Sequence, residues 1–157
     1  MRTEEKVAEI LIEKGLKIAT TESCTGGLLS SKLTDVSGSS AFIHLNFVTY
    51  SNAAKQGILG VKPETLEKYG AVSEECSFEM AHGLMKRTGA DICVSTTGIA
   101  GPTGGTKDKP AGLMYSTICT KENSQTYKIL LPSEIPRVEM TEGFVKKVLE
   151  NLYTFLK

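Results

Sequence analysis

Two kinds of apolar pattern alternate along the first two thirds of this 157-residue chain, and the alternation restricts the folds that it can adopt. Segments with apolar residues at helical spacing separate short, continuous apolar runs that are typical of buried strands. Two further strand-like runs follow, joined by the polar turn 121–125, and a helical pattern ends the chain. This order predicts an α/β fold, a single-domain three-layer α/β/α sandwich with a mixed sheet.

The strands and helices can be assigned from periodicity and from turn and cap residues. No internal repeat or linker divides the chain, so we expect residues 1–157 to form one domain. Strands are predicted at residues 17–21, 41–50, 91–97, 114–120 and 126–131, and helices at residues 3–13, 25–33, 51–59, 63–68, 73–87 and from 136 or 137 onward.

Charge and composition exclude several classes of protein. Lysine plus arginine and aspartate plus glutamate both number 18, so no basic excess indicates nucleic-acid binding. No apolar run approaches the roughly 20 residues that span a bilayer, and the charged N-terminus does not resemble a signal peptide. We therefore expect a cytoplasmic protein that binds no membrane. The four cysteines form no C-x-x-C pair, and we expect no metal site.

The segment 22–27, with the sequence ESCTGG, lies between a predicted strand and a predicted helix. The hydroxyl of Ser23 would stand at the end of the strand. The glycines allow the backbone to approach a substrate, and free amides at a helix start face an anion or oxyanion. Covalent hydrolysis and phosphate binding both fit this arrangement.

A serine nucleophile needs a nearby base to take its proton. The two histidines, His44 and His82, fall inside a predicted strand and a predicted helix, which disfavours a Ser-His-Asp triad. Lys55 is the alternative, since it lies one turn into the helix that follows the strand ending at Tyr50. It would need a pKa lowered by desolvation or by another cation. Tyr50 could hydrogen-bond the oxygen of Ser23 or relay its proton.

Cys24 is a rival nucleophile beside Ser23. Thiolates form more readily than alkoxides, especially at helix N-termini. Neighbouring side chains point in different directions, so one of the two would face the substrate, and the sequence pattern alone favours neither.

A second segment, residues 97–106 with the sequence TGIAGPTGGT, follows another predicted strand. It does not match the phosphate-binding pattern G-x-x-x-x-G-K-[ST]. Its glycines could free backbone amides for an anion, or it could be a structural turn. Because ligands bind outside the carboxyl ends of strands, this segment and Ser23 are expected around one pocket.

Several segments together resemble the C-terminal domain of the competence/damage-inducible protein CinA, and the resemblance extends from about Glu4 to Leu156. They are residues 21–29, 35–40, 50–52 with Lys55, 70–73, and 97–106 with Lys109 and Pro110. Stand-alone members of that family are nicotinamide-nucleotide amidases. The resemblance therefore implies hydrolysis of nicotinamide mononucleotide to nicotinic acid mononucleotide and ammonia, without a cofactor, by a homodimer.

The resemblance also implies roles for particular residues. Ser23 would be the nucleophile and Lys55 its partner, with Tyr50 from the same motif beside them. The segment 97–106 would hold the ribose phosphate, and Arg137 resembles a family arginine that faces it. The substrate-binding residues would be Cys24, Thr25, Gly26, Gly27, Thr97, Gly98, Gly101, Gly104, Gly105, Thr106 and Arg137.

Some positions depart from the family pattern. Residues 44–47 read HLNF where small glycines are frequent, and Met140 stands where a second arginine is frequent. Two other hypotheses remain beside the Ser-Lys amidase. One is a non-catalytic nucleotide-binding or interaction module associated with competence or DNA damage, and the other is a thiol enzyme that uses Cys24.

Overall fold

A computed structural model describes residues 1–157, which form a five-stranded sheet between two layers of helices. The strands are β1 (Ile18–Glu22), β2 (Ile43–Val48), β3 (Ile92–Gly98), β4 (Leu113–Cys119) and β5 (Ser124–Leu130). The helices are α1 (Thr3–Lys14), α2 (Leu28–Thr34), α3 (Asn52–Leu59), α4 (Pro63–Tyr69), α5 (Glu74–Thr88) and α6 (Arg137–Leu156).

The sheet has the strand order β2-β1-β3-β4-β5 and is mixed, as predicted. β1 runs parallel to both β2 and β3, whereas β4 is antiparallel to β3 and to β5. The carboxyl ends of β1, β2 and β3 therefore meet at one edge of the sheet, and β4 begins at the same edge. Open sheets of this kind bind ligands at that edge.

Each face of the sheet has its own hydrophobic core, which confirms the three-layer prediction. α1, α2 and α6 cover one face around 21 buried residues, among them Phe144 and Leu152. α3 and α5 supply half of the second core, of 10 buried residues, and α4 packs against it. Fully burying such a side chain stabilises a fold by about 1.5–3 kcal/mol. None of the helices combines the length and apolar character that crossing a bilayer requires.

The second helix begins later than predicted. Periodicity favoured a helix from residue 25, but α2 begins at Leu28. Gly26 and Gly27 have φ angles of 57° and 102°, a left-handed conformation that side chains other than glycine rarely adopt. The amide of Gly26 donates to the carbonyl of Ser23 at 3.1 Å, closing a turn. The segment after β1 is therefore a turn and not a helix start.

β2 is shorter than the predicted strand 41–50. A 3₁₀ turn, Ser39–Ala41, precedes it, and Thr49 and Tyr50 follow it outside the sheet. Because β2 is an edge strand, Leu45 and Val48 remain 44% and 51% exposed despite their apolar character. Periodicity along one strand does not reveal whether a neighbour covers it.

Candidate active site

The edge formed by the ends of β1 and β2 brings Ser23 next to Lys55. Ser23 directly follows β1, and Nζ of Lys55 donates to its Oγ at 3.1 Å. Lys55 lies in the first turn of α3, whose start is capped by the Ser51 hydroxyl accepting from the Ala54 amide at 3.1 Å. The cap turns the chain back toward β1 soon after β2 ends, so the lysine reaches across to the neighbouring strand.

Lys55 is 1% exposed, which is unusual for a lysine. Its Nζ also donates to the carbonyl oxygens of Thr49, at 2.9 Å, and Tyr50, at 2.7 Å. No carboxylate forms a salt bridge with it. Burial lowers the pKa of Lys55 below its ordinary value, because desolvation disfavours the charged amine.

The alternation of side chains along β1 separates Ser23 from Cys24. Ala19 and Ser23 face the layer of α3 and α5, whereas Cys24 joins the core beneath α1, α2 and α6. Burial raises the pKa of the Cys24 thiol to about 12, and the charge of Glu22 adds to the effect. The sequence left this pair unresolved; in the structure the thiol is the poorer candidate for an ionised nucleophile.

The histidines lie away from this pair. Nε2 of His44 contacts the carbonyl of Thr88 at 3.0 Å, and Nε2 of His82 contacts the hydroxyl of Ser124 at 2.9 Å. Neither forms a hydrogen bond with Ser23, in agreement with the expectation that no Ser-His-Asp triad is present.

The turn after β1 carries unused backbone donors. Among the amides of residues 24–27, that of Gly26 is bonded within the turn, while those of Cys24, Thr25 and Gly27 donate to no other part of the chain. These amides are adjacent to the Ser23 hydroxyl in the chain. Free backbone amides beside a nucleophile are the type of donor that stabilises an oxyanion, which is the role that the sequence predicts for this turn.

Tyr50 uses its backbone where the sequence suggested its side chain. Its carbonyl accepts from Lys55 and lies 3.5 Å from Oγ of Ser23. Its ring is largely exposed, and its hydroxyl accepts from Nη2 of Arg137 at 3.3 Å. The expected hydrogen bond between the phenol and Ser23 is not present. The phenol instead connects this part of the edge to the start of α6.

Arg137 also joins the glycine-rich loop to α6. Its Nη1 donates to the carbonyl of Gly101 at 2.6 Å, while Nη2 contacts Tyr50. No carboxylate neutralises the guanidinium. The expected phosphate-binding arginine therefore lies beside the glycine-rich loop 99–112, which joins β3 to β4, with its charge unpaired.

Close packing requires glycine at four positions between the end of β3 and the start of β4: Gly98, Gly101, Gly105 and Gly112. A Cβ on Gly98 would lie 2.7 Å from the carbonyl oxygen of Leu113, and a Cβ on Gly105 would lie 2.7 Å from the amide of Ala111. Gly104 is exposed. At Gly98 and Gly105 the packing of the chain itself therefore requires glycine, with or without a ligand. This is the structural role that the sequence left open.

The two threonine hydroxyls expected at the phosphate are engaged within the chain. Thr97 donates to the carbonyl of Ala71 at 2.8 Å, and the hydroxyl of Thr106 accepts from the amide of Lys109 at 3.1 Å. Each hydroxyl oxygen keeps capacity for another partner. Their first role in this structure is to hold the loop and the segment before α5.

Lys109 is one of the residues that carry the family resemblance, but no role was predicted for it. Its Nζ donates to the carbonyl of Tyr69, and a Cβ on Gly70 would lie 3.0 Å from that nitrogen. Lys109 therefore places a second cation on the loop itself, next to the segment 69–71 that Thr97 also contacts. The sequence also indicated no role for Glu22. The available signal was a charged residue at the end of a strand, and the structure shows that this strand is buried at every position.

Comparison with known proteins gives one consistent result. The model of the CinA C-terminal domain family matches residues 1–156. A CinA-like protein of Chlorobium limicola is 56% identical over 157 residues, covering 98% of this chain and 37% of its own length. This chain spans about a third of the curated relatives that it matches.

Solved structures agree with this match over the whole fold. The competence/damage inducible protein CihA from Agrobacterium tumefaciens superposes with a TM-score of 0.92 at 39% identity, covering 100% of this chain and 98% of that one. A CinA superfamily protein from Enterobacter cloacae superposes with a TM-score of 0.93 at 35% identity, covering 99% and 90%. The sequence match and the shared fold together place this chain in the CinA C-terminal domain family.

Proposed function

We propose that this chain hydrolyses the carboxamide of nicotinamide mononucleotide, giving nicotinic acid mononucleotide and ammonia. Ser23 is the nucleophile and Lys55 the base. The observation that carries the proposal is the 3.1 Å contact between Nζ of Lys55 and Oγ of Ser23, made by a lysine that is 1% exposed.

The surroundings of Lys55 suit a general base. Its lowered pKa increases the fraction of neutral amine near neutral pH. A neutral amine has two N–H groups, and these can donate hydrogen bonds to the carbonyl oxygens of Thr49 and Tyr50. Its lone pair is then left for the hydroxyl of Ser23. The two carbonyls thus orient the amine as well as bind it.

In the proposed reaction, Lys55 takes the proton of Ser23 while Oγ forms a bond to the amide carbon. The free amides in the turn 24–27 stabilise the resulting oxyanion; where such a donor has been removed elsewhere, the barrier rose by about 3–4 kcal/mol. Lys55 then gives its proton to the departing nitrogen, the C–N bond breaks and ammonia leaves. A water molecule attacks the ester, Lys55 accepts its proton, and the proton returns to Ser23 as the acid is released.

The rest of the substrate would bind along the glycine-rich loop. A phosphate monoester is a dianion, and a guanidinium can bind it through two parallel hydrogen bonds. Arg137 has an unpaired charge and is held by one carbonyl and one phenol, both of which it can exchange for phosphate oxygens. We propose that Arg137 holds the phosphate and that the segment 97–106 forms the rest of the ribose-phosphate site. No step needs a cofactor or a metal.

The deciding experiment measures ammonia release from nicotinamide mononucleotide by the purified protein, beside Ser23→Ala. We expect turnover by the wild type and none by the variant. A folded wild type without turnover from neutral to mildly basic pH would overturn the amidase. It would favour the nucleotide-binding or interaction module, whose relatives are named for competence and damage.

A further inference from the structure

Glu22, the last residue of β1, has a completely buried side chain without a cation beside it. A buried carboxylate is costly unless hydrogen bonds replace its hydration. Four donors surround this one. Oε1 accepts from the Thr25 hydroxyl at 2.6 Å and the Leu29 amide at 2.8 Å, and Oε2 accepts from the Ser30 amide at 3.0 Å and hydroxyl at 2.8 Å.

These contacts join the end of β1 to the first turn of α2. Since Ser23 follows Glu22 directly, the carboxylate closes the turn that carries the serine. Both oxygens receive a backbone amide, one from Leu29 and one from Ser30. A glutamine in either orientation would therefore place its NH₂ group against a backbone donor. The position requires a carboxylate.

A chain of hydroxyl groups extends this connection back to Ser23. The single hydroxyl proton of Thr25 is donated to Glu22, so its 2.9 Å contact with Thr96 must be donated by Thr96. The Thr96 hydroxyl in turn accepts from the amide of Ser23 at 3.3 Å, and the Thr96 carbonyl accepts from the same amide at 3.1 Å. The carboxylate fixes the direction of the two hydroxyl bonds, the backbone amide of Ser23 can only donate, and each bond polarises the next.

We propose that Glu22 is a positioning residue that fixes the backbone of the nucleophile Ser23 through Thr25 and Thr96. The inference rests on the proposed role of Ser23. Glu22 lies on the α2 side of the sheet and Ser23 faces α3, so Glu22 acts through the turn and not by contact with the reacting atoms.

The test compares Thr25→Val with Ser30→Ala. Each variant removes one hydroxyl donor from the same carboxylate. Thr25→Val also breaks the ring of hydrogen bonds that returns to Ser23. Ser30→Ala leaves that ring intact, and the other contact that it removes is the one with Thr20. Two rates are measured: hydrolysis of nicotinamide mononucleotide, and labelling by a fluorophosphonate. In the labelling, Oγ of Ser23 bonds to phosphorus, fluoride leaves and Lys55 takes the proton.

We expect Thr25→Val to lower both kcat and the labelling rate, by up to about a hundredfold if the oxygen moves by 1 Å, with KM near the wild-type value. Ser30→Ala should lose as much thermal stability but far less rate. Equal losses of rate in the two variants would overturn the proposal, because a loss of stability alone would then explain them. Unchanged rates in Thr25→Val would overturn it as well.

Glu22→Gln extends the test. A folded Glu22→Gln protein should be labelled at least as slowly as Thr25→Val, and labelling at the wild-type rate would contradict the proposal. A wild type that is labelled at Ser23 but leaves nicotinamide mononucleotide intact would overturn the proposed substrate alone. Slow labelling of Thr25→Val would still support positioning. A wild type with neither activity would overturn both.

Discussion

Nζ of Lys55 lies 3.1 Å from Oγ of Ser23, although 32 positions separate the two residues in the chain. The contact crosses from α3 to the end of β1, and Lys55 is almost completely buried where it makes this contact. The parallel pairing of β1 with β2 brings the two segments together.

Replacing Ser23 and Cys24 in turn should show which of the two is the nucleophile. We expect Ser23→Ala to lower the rate of ammonia release by orders of magnitude, because an alanine cannot form the acyl intermediate. Its melting temperature should stay close to that of the wild type. Cys24→Ala is the matched control and should retain most of the activity, since Cys24 packs in the opposite core. An inactive Cys24→Ala beside an active Ser23→Ala would favour the thiol enzyme.

Lys55 should give the activity its pH dependence. Its neutral form is the base and burial lowers its pKa, so the rate should rise with pH through that lowered pKa and then level off. Lys55→Met keeps an unbranched side chain of similar length without the amine, and we expect it to lose the activity at every pH. A rate-pH profile of the wild type checks the first point. A Lys55→Met protein with substantial turnover would refute the base.

The same pKa shift predicts a stability effect. The pKa of Lys55 is lower in the folded chain than in the unfolded one, so between the two values the unfolded state binds more protons. The free energy of unfolding should therefore rise with pH across that interval. Urea unfolding of the wild type and Lys55→Met over a pH series checks this, because the variant should lack the rise. Parallel curves would contradict the shift.

Arg137 should act on binding. Arg137→Met removes the proposed phosphate contact, and a hydrogen bond to a charged group contributes about 1.5–3 kcal/mol. We expect KM for nicotinamide mononucleotide to increase about tenfold to a hundredfold while kcat changes little. Arg87→Met, an exposed position at the end of α5, is the control. A variant with unchanged KM would remove Arg137 from the phosphate site.

A glycine in α5 should prove essential to the packing of the helix that carries Lys55. A Cβ on Gly83 would lie 1.9 Å from the carbonyl oxygen of Leu59 in α3. We expect Gly83→Ala to destabilise the fold by about 1–3 kcal/mol and to lower activity by moving α3. Gly57→Ala, in α3 itself, meets no atom within 4 Å and should stabilise by about 0.5–1 kcal/mol. Thermal unfolding of both variants is the measurement, and a stable Gly83→Ala would contradict the contact.

The sequence predicted the elements well where local chemistry decides them. The cap at Ser73 and the glycine at position 89 bound α5 as expected, and apolar periodicity located α6. It predicted α2 and β2 with inexact bounds: the backbone of Gly26 and Gly27 delays the start of α2, and β2 is an edge strand, a position that depends on residues far along the chain. The first difference comes from the local conformation of two glycines, and only the second depends on residues that are distant in the sequence.

The sequence by itself determined the order of helices and strands, and its resemblance to a known family implied that Ser23 and Lys55 are partners. Tertiary structure alone decided that Ser23 faces α3 while Cys24 enters the opposite core, that Lys55 is buried, and that the carboxylate of Glu22 meets Thr25 and the start of α2. The physical reason is that periodicity and capping act over a few residues. Burial, pKa values and the direction of a hydrogen bond depend instead on what the folded chain brings alongside.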